Sequence, residues 1–236
     1  MKKPEALLFD LGDTLMHLEN FDASLGITRV LNLAENKEKP EISEVMAFIA
    51  HFQKFFGVGR EMDLVECPIQ KLQKMVFDYF RLSFSHSMQE LEWELWEGAA
   101  VARPQEGIVE VLEYLKKQEI PLGIVSNSAF SHETLQRDLQ KHKMDHFFNF
   151  LISSAEYGLR KPHPALFLVA AAKLVKEPEY IWFVGDSLQC DVLGSQKVGM
   201  VPIWYNQADR QRGSEDLRPA GEFKAWVNFI PLFEGI

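Results

Sequence analysis

The stretch Ala6-Leu7-Leu8-Phe9-Asp10-Leu11-Gly12-Asp13-Thr14-Leu15 decides the fold. An apolar run ends on Asp10 and gives way at once to Gly12, Asp13 and Thr14, the pattern of a buried strand carrying a carboxylate to its C-terminal tip. In an open α/β sheet that tip is where ligands and chemistry gather. The rest of the chain is therefore read for further strands that end on polar residues.

The chain has 236 residues, 47% of them hydrophobic and 25% charged, ordinary for a globular protein large enough to bury a substantial core. Its formal net charge of −9 argues against a nucleic acid or an anionic membrane as partner, because both require a basic surface. The two cysteines, Cys67 and Cys190, have no metal-ligand spacing and suggest no disulfide framework. That usage fits a reducing cytoplasm. The apolar run after Lys2 and Lys3 is broken by Asp10 and Asp13 and is too short for a signal segment or a membrane span, so a cytoplasmic location is expected.

From about His17 to Glu97 the hydrophobic period is helical. Ile42, Val45, Ile49, Phe52 and Phe56 form one expected apolar face, and Ile69, Leu72, Met75, Val76, Tyr79 and Phe80 a second. Pro40 and Pro68 stand where helices would begin. Residues 17–97 are thus expected to form a small helical domain, inserted into a core made of residues 1–16 and 98–236. After Pro104, which is expected to open a helix, helices alternate with apolar runs at Ile120–Val125, Phe147–Ile152, Tyr180–Val184 and Met200–Tyr205. Such alternation predicts an α/β fold with a doubly wound parallel sheet covered on both faces. Asn206–Glu222 reads as a surface loop, and the apolar tail from Phe223 to Ile236 as a segment that packs back on the core.

Polar clusters follow three of the expected strands: Asp10 with Gly12-Asp13-Thr14, Ser126-Asn127, and Asp186 with Asp191. Arg160-Lys161-Pro162 precedes a helix. Taken singly, Asp186 also reads as a helix N-cap, Ser126 as a turn residue and Lys161 as a solvated charge. Taken in order on a parallel sheet, they converge on one edge.

These clusters resemble the four motifs of the haloacid dehalogenase superfamily. Phe9-Asp10-Leu11-Gly12-Asp13-Thr14-Leu15 is similar to the first motif, Val125-Ser126-Asn127 to the second, Gly158-Leu159-Arg160-Lys161-Pro162-His163-Pro164 to the third, and Val184-Gly185-Asp186-Ser187 through Asp191 to the fourth. The helical insert matches the family's cap domain in position and length. The resemblance implies a hydrolase, in which Asp10 attacks phosphorus and forms an aspartyl-phosphate. It further implies magnesium (Mg2+) held by Asp10, the Gly12 carbonyl, Asp186 and Asp191, with Ser126, Asn127 and Lys161 on the phosphoryl oxygens of a small phosphorylated metabolite.

The sequence departs from the pattern at Gly12. Family phosphatases carry there a second Asp that protonates the leaving group, whereas here a carboxylate comes one place later, as Asp13. A positioned general acid contributes about 100- to 10,000-fold in rate. Three readings follow: Asp13 takes over the role, the substrate's leaving group needs little protonation, or the protein binds phosphorylated ligands without efficient catalysis. Two relatives of the phosphatases also lack the second Asp. Haloacid dehalogenases dispense with magnesium, which leaves Asp186 and Asp191 unexplained. Phosphonoacetaldehyde hydrolases use a cap lysine, but Lys37, Lys39, Lys54, Lys71 and Lys74 read as solvated charges. Of the histidines, only His17 falls beside the first motif, where a surface or hinge role competes with substrate contact.

Overall fold

The computed structural model describes residues 2–56, 64–211 and 217–235. Strand β1 (Ala6–Phe9) is the centre of a six-stranded parallel sheet. Strands β4 (Leu122–Ser126) and β5 (Phe150–Ser153) follow on one side of it, and β6 (Ile181–Gly185), β7 (Val201–Tyr205) and β8 (Gly221–Phe223) on the other, in the order β5-β4-β1-β6-β7-β8. Alternate side chains of β1 enter different cores: Leu7 and Phe9 join one buried cluster, Ala6 and Leu8 the other. This two-sided burial explains why the strand reads as a continuous apolar run. Strand order reverses beside β1, so the ends of β1, β4 and β6 lie next to one another at the switch point.

The helices that cover the sheet are α5 (Ile108–Lys117), α6 (His132–Lys141), α7 (Ser154–Tyr157), α8 (Pro164–Leu174), α9 (Leu193–Lys197) and α10 (Phe229–Glu234). A single π turn, Leu188–Val192, leads into α9. The C-terminal tail packs inward as expected, with Trp226, Phe229 and Phe233 buried. The expected loop Asn206–Glu222 is shorter than its polarity suggests, because Gly221 and Glu222 already belong to β8; its residues 212–216 lie outside the described residues. Among the described residues no helix is long and apolar enough to cross a membrane.

The insert differs from its purely helical reading. Met16–Phe21 forms β2 and Ala100–Pro104 forms β3, an antiparallel pair through which the chain leaves the core and returns to it. Pro104 therefore closes a strand instead of opening a helix. Between them stand α1 (Ala23–Asn32), α2 (Ile42–Phe56), α3 (Ile69–Tyr79) and α4 (Met88–Ala99). Asp22 caps α1 through the Ser24 N–H, and Ser87 with Glu90 forms a reciprocal capping box on α4. The buried face of α3 carries Gln73, Val76 and Phe77, while Tyr79 is 66% exposed. The true stripe, 69-72-73-76-77-80, contains a polar Gln73, which masked it and drew Met75 and Tyr79 into the expected face. Of the other expected face, Val45 is fully buried, and the Phe56 side chain lies outside the described residues.

Candidate active site

Asp10 is the first residue beyond β1, and its N–H donates to the Val184 carbonyl of β6 at 2.9 Å, which fixes the point where the chain turns out of the sheet. Its carboxylate meets Lys161 and Thr14. Lys161 Nζ donates to Asp10 Oδ1 at 2.6 Å and to Asp191 Oδ1 at 2.7 Å, and Thr14 Oγ1 lies 3.3 Å from Asp10 Oδ2. Lys161 is only 2% exposed and is no solvated surface charge. Burial alone would lower its pKa, but the carboxylates of Asp10 and Asp191 outweigh that and hold the ammonium above the usual lysine range.

Asp186 follows β6, where its N–H donates to Thr14 Oγ1 at 3.1 Å and its carbonyl accepts from Trp204 Nε1 at 2.9 Å. Asp191 comes from the π turn and accepts the Ser187 N–H at 3.0 Å. The two acids approach one another because residue 185 is glycine: a Cβ there would overlap the Asp191 carboxylate. Carboxylate oxygens of Asp10, Asp186 and Asp191 lie within 4.8 Å of one another. Three carboxylates thus face one ammonium, an excess of negative charge in a buried place. Desolvation, with Asp10 and Asp191 beside it, pushes the Asp186 carboxyl up to about 7. Burial and the charge of Asp10 raise that of Asp191 as well, against the pull of Lys161. A cluster of hard oxygen donors with uncompensated charge suits a divalent cation.

The remaining expected site residues divide. Ser126 ends β4 and is 4% exposed beside the cluster's strands. Asn127, expected on substrate, clamps the backbone of Lys161: its Nδ2 donates to the Lys161 carbonyl at 3.0 Å and its Oδ1 accepts the Lys161 N–H at 2.7 Å. An amide that offers a donor on one side and an acceptor on the other fits a peptide group in this way, so its side chain holds the lysine's backbone in place. Gly12 is exposed and has an ordinary backbone conformation, and a Cβ there would meet nothing within 4 Å. Asp13 sits in the left-handed region at φ 54° and turns to His17, whose Nδ1 is 3.2 Å from its carboxylate. Its side chain is 63% exposed and lines the mouth of a cavity of about 120 Å³ with Asp186, Tyr205 and Arg210. Lys37, Lys39, Lys71 and Lys74 are exposed, which leaves the Schiff-base reading without a buried amine among them; the Lys54 side chain lies outside the described residues.

Residue-type reasoning passed over the groups that hold this site in place. Thr14 is fully buried and bridges Asp10 to the backbone of Asp186; its own carbonyl accepts from Trp226 Nε1 at 3.1 Å. Gln105 Nε2 donates to the Asp13 carbonyl at 3.0 Å. Thr14 stood within the quoted motif and could have been found there, whereas Trp226, 212 residues away, has no local signal.

Fold and site together define a doubly wound hydrolase core with a carboxylate and lysine centre at its strand switch point. Residues 7–204 match the haloacid dehalogenase-like hydrolase family, and the chain belongs to it. The chain is 27% identical to the glyceraldehyde 3-phosphate phosphatase of Methanopyrus kandleri, over 98% of this chain and 92% of that protein. It is 26% identical to the pyrophosphatase PpaX of Bacillus mycoides, over 84% and 81% of the two chains. The same fold is seen in a 2-haloacid dehalogenase from Pseudomonas syringae, at a TM-score of 0.68 and 19% identity, over 98% of this chain and 97% of that one.

Proposed function

We propose that the chain is a magnesium-dependent phosphatase acting on a small phosphomonoester through Asp10. The observation that supports this most is the joint placement of Lys161, Asp186 and Asp191 around the Asp10 carboxylate at the strand switch point. The phosphatase names of the relatives support the same reaction class, and the Methanopyrus relative supports a small phosphorylated metabolite as substrate. A magnesium-free dehalogenase reading leaves the clustering of Asp186 and Asp191 with Asp10 unexplained.

Asp10, Asp186 and Asp191, with the Gly12 carbonyl, would hold magnesium, which supplies neutralisation of phosphoryl charge. Lys161 pairs with Asp10 before substrate arrives and adds positive charge where the transferring group must sit. Asp10 forms a bond to phosphorus as the ester P–O bond breaks, and the departing oxygen takes its proton from solvent, since residue 12 has no side chain to give one. A water then attacks phosphorus, phosphate leaves, and the Asp10 carboxylate is restored. Thr14 and Asn127 orient Asp10 and Lys161 through both steps.

The open position at Gly12 and the outward turn of Asp13 favour substrates with good leaving groups, such as aryl or acyl phosphates, and they also support a second reading as a slow, phospho-ligand-binding relative. A substrate panel with magnesium, run with the Asp10→Asn variant, separates them. Turnover that Asp10→Asn abolishes supports the phosphatase; phosphate-analogue binding with no turnover on any ester supports the binding role.

A further inference from the structure

Glu66 belongs to the segment between α2 and α3, yet its side chain is 3% exposed and pairs mainly with the core. Its Oε2 accepts from Arg160 Nη1 at 2.7 Å and from Ser154 Oγ at 2.6 Å, and its Oε1 from the Cys67 N–H at 3.1 Å. The backbone around it pairs with the lysine-bearing loop. The Glu66 N–H donates to the Gly158 carbonyl at 3.0 Å, the Arg160 N–H donates to the Leu64 carbonyl at 2.9 Å, and Val65 and Leu159 form an antiparallel bridge. Ser154 Oγ in turn accepts the Ser128 N–H at 2.8 Å.

One carboxylate from the insert therefore grips both active-site loops, through Arg160 on one and through Ser154 to Ser128 on the other. The residues beside them, Lys161 after Arg160 and Asn127 before Ser128, are bonded to each other. A buried carboxylate is costly unless it is paired, and here the side chains that pair it, Arg160 and Ser154, come from the core.

We propose that Glu66 is a positioning residue that makes the placement of Lys161 conditional on docking of the helical insert. Lifting the insert removes Glu66 from Arg160 and Ser154 and takes two backbone bonds from the loop that carries Lys161. Docking restores them, so the phosphoryl-binding amine is assembled only in the closed molecule. The role of that amine rests on the phosphatase reading; its dependence on Glu66 does not.

The test compares wild-type protein with Glu66→Gln, Arg160→Gln and the double variant. Acylation of Lys161 by an amine-reactive ester is followed by peptide mass spectrometry, beside steady-state turnover of p-nitrophenyl phosphate with magnesium. Each single variant is expected to label Lys161 faster by about tenfold as the loop opens. Each should lose about 100-fold in kcat, as expected for a displaced catalytic group, with KM nearly unchanged. The double variant should be no worse than the poorer single one. Folded variants in which Lys161 stays as protected as in wild type, or in which kcat is unchanged, overturn the proposal. Arg160→Gln gives the same readout from the core side if Glu66→Gln does not fold. A wild-type protein without turnover sinks the phosphatase reading alone, because the labelling still decides the dependence on Glu66.

Discussion

At the scale of single residues, positions 12 and 13 determine how well this site can work. No neighbour blocks a side chain at Gly12, so the missing acid is a chemical difference and not a steric one. Gly12→Asp is expected to raise turnover of alkyl phosphates by about 10- to 100-fold, and that of aryl phosphates much less, because a general acid helps a poor leaving group most. Asp13→Ala should change kcat by less than about threefold, since Asp13 faces His17 and solvent. Steady-state kinetics on one alkyl and one aryl ester measures both. Asp10, Ser126, Asp186 and Lys161 were legible in the sequence because each stands where an apolar run ends or a helix begins. The spacing could not show which way Asp13 turns. Its left-handed backbone is decided by local contacts, among them the bond from its own N–H to the Met16 carbonyl at 2.7 Å.

At the scale of elements, the strands buried on both faces were readable as apolar runs, and the elements that brace the site were not. β2 and β3 form a two-stranded ribbon; β3 alternates, but β2 is exposed along most of its length with no alternation, so its residues fit a helical period as well as a strand. β8 is three residues long and gains its identity only by pairing with β7. The C-terminal tail was expected to pack inward, but only the fold shows that Trp226 reaches the Thr14 carbonyl and rests on the rings of Phe9 and Tyr205. Trp226→Phe keeps much of the packing and leaves that carbonyl without its donor. It is expected to cost about 1–3 kcal/mol, seen as a lower urea midpoint with an unchanged m-value.

At the scale of the whole molecule, the fold buries a centre in which Asp10 is 7%, Lys161 2% and Asp191 1% exposed. The electrostatics of that centre tie stability to pH. Asp186 is raised from 3.8 to about 7, so in the metal-free protein the folded state holds a proton that the unfolded state has released. Stability is expected to fall as pH rises through that window and to level off above it. A cation competes with this proton for the carboxylates, so magnesium should raise Tm more at about pH 8 than at about pH 5.5. Thermal denaturation with and without magnesium at the two pH values checks both signs.

The central claim is that Asp10 is the nucleophile, and acid quenching during turnover tests it most directly. Wild-type protein mixed with magnesium and a turned-over phosphate ester, quenched and digested, is expected to yield a phosphorylated peptide with the modification on Asp10, absent from Asp10→Asn. Turnover that survives Asp10→Asn would contradict the account.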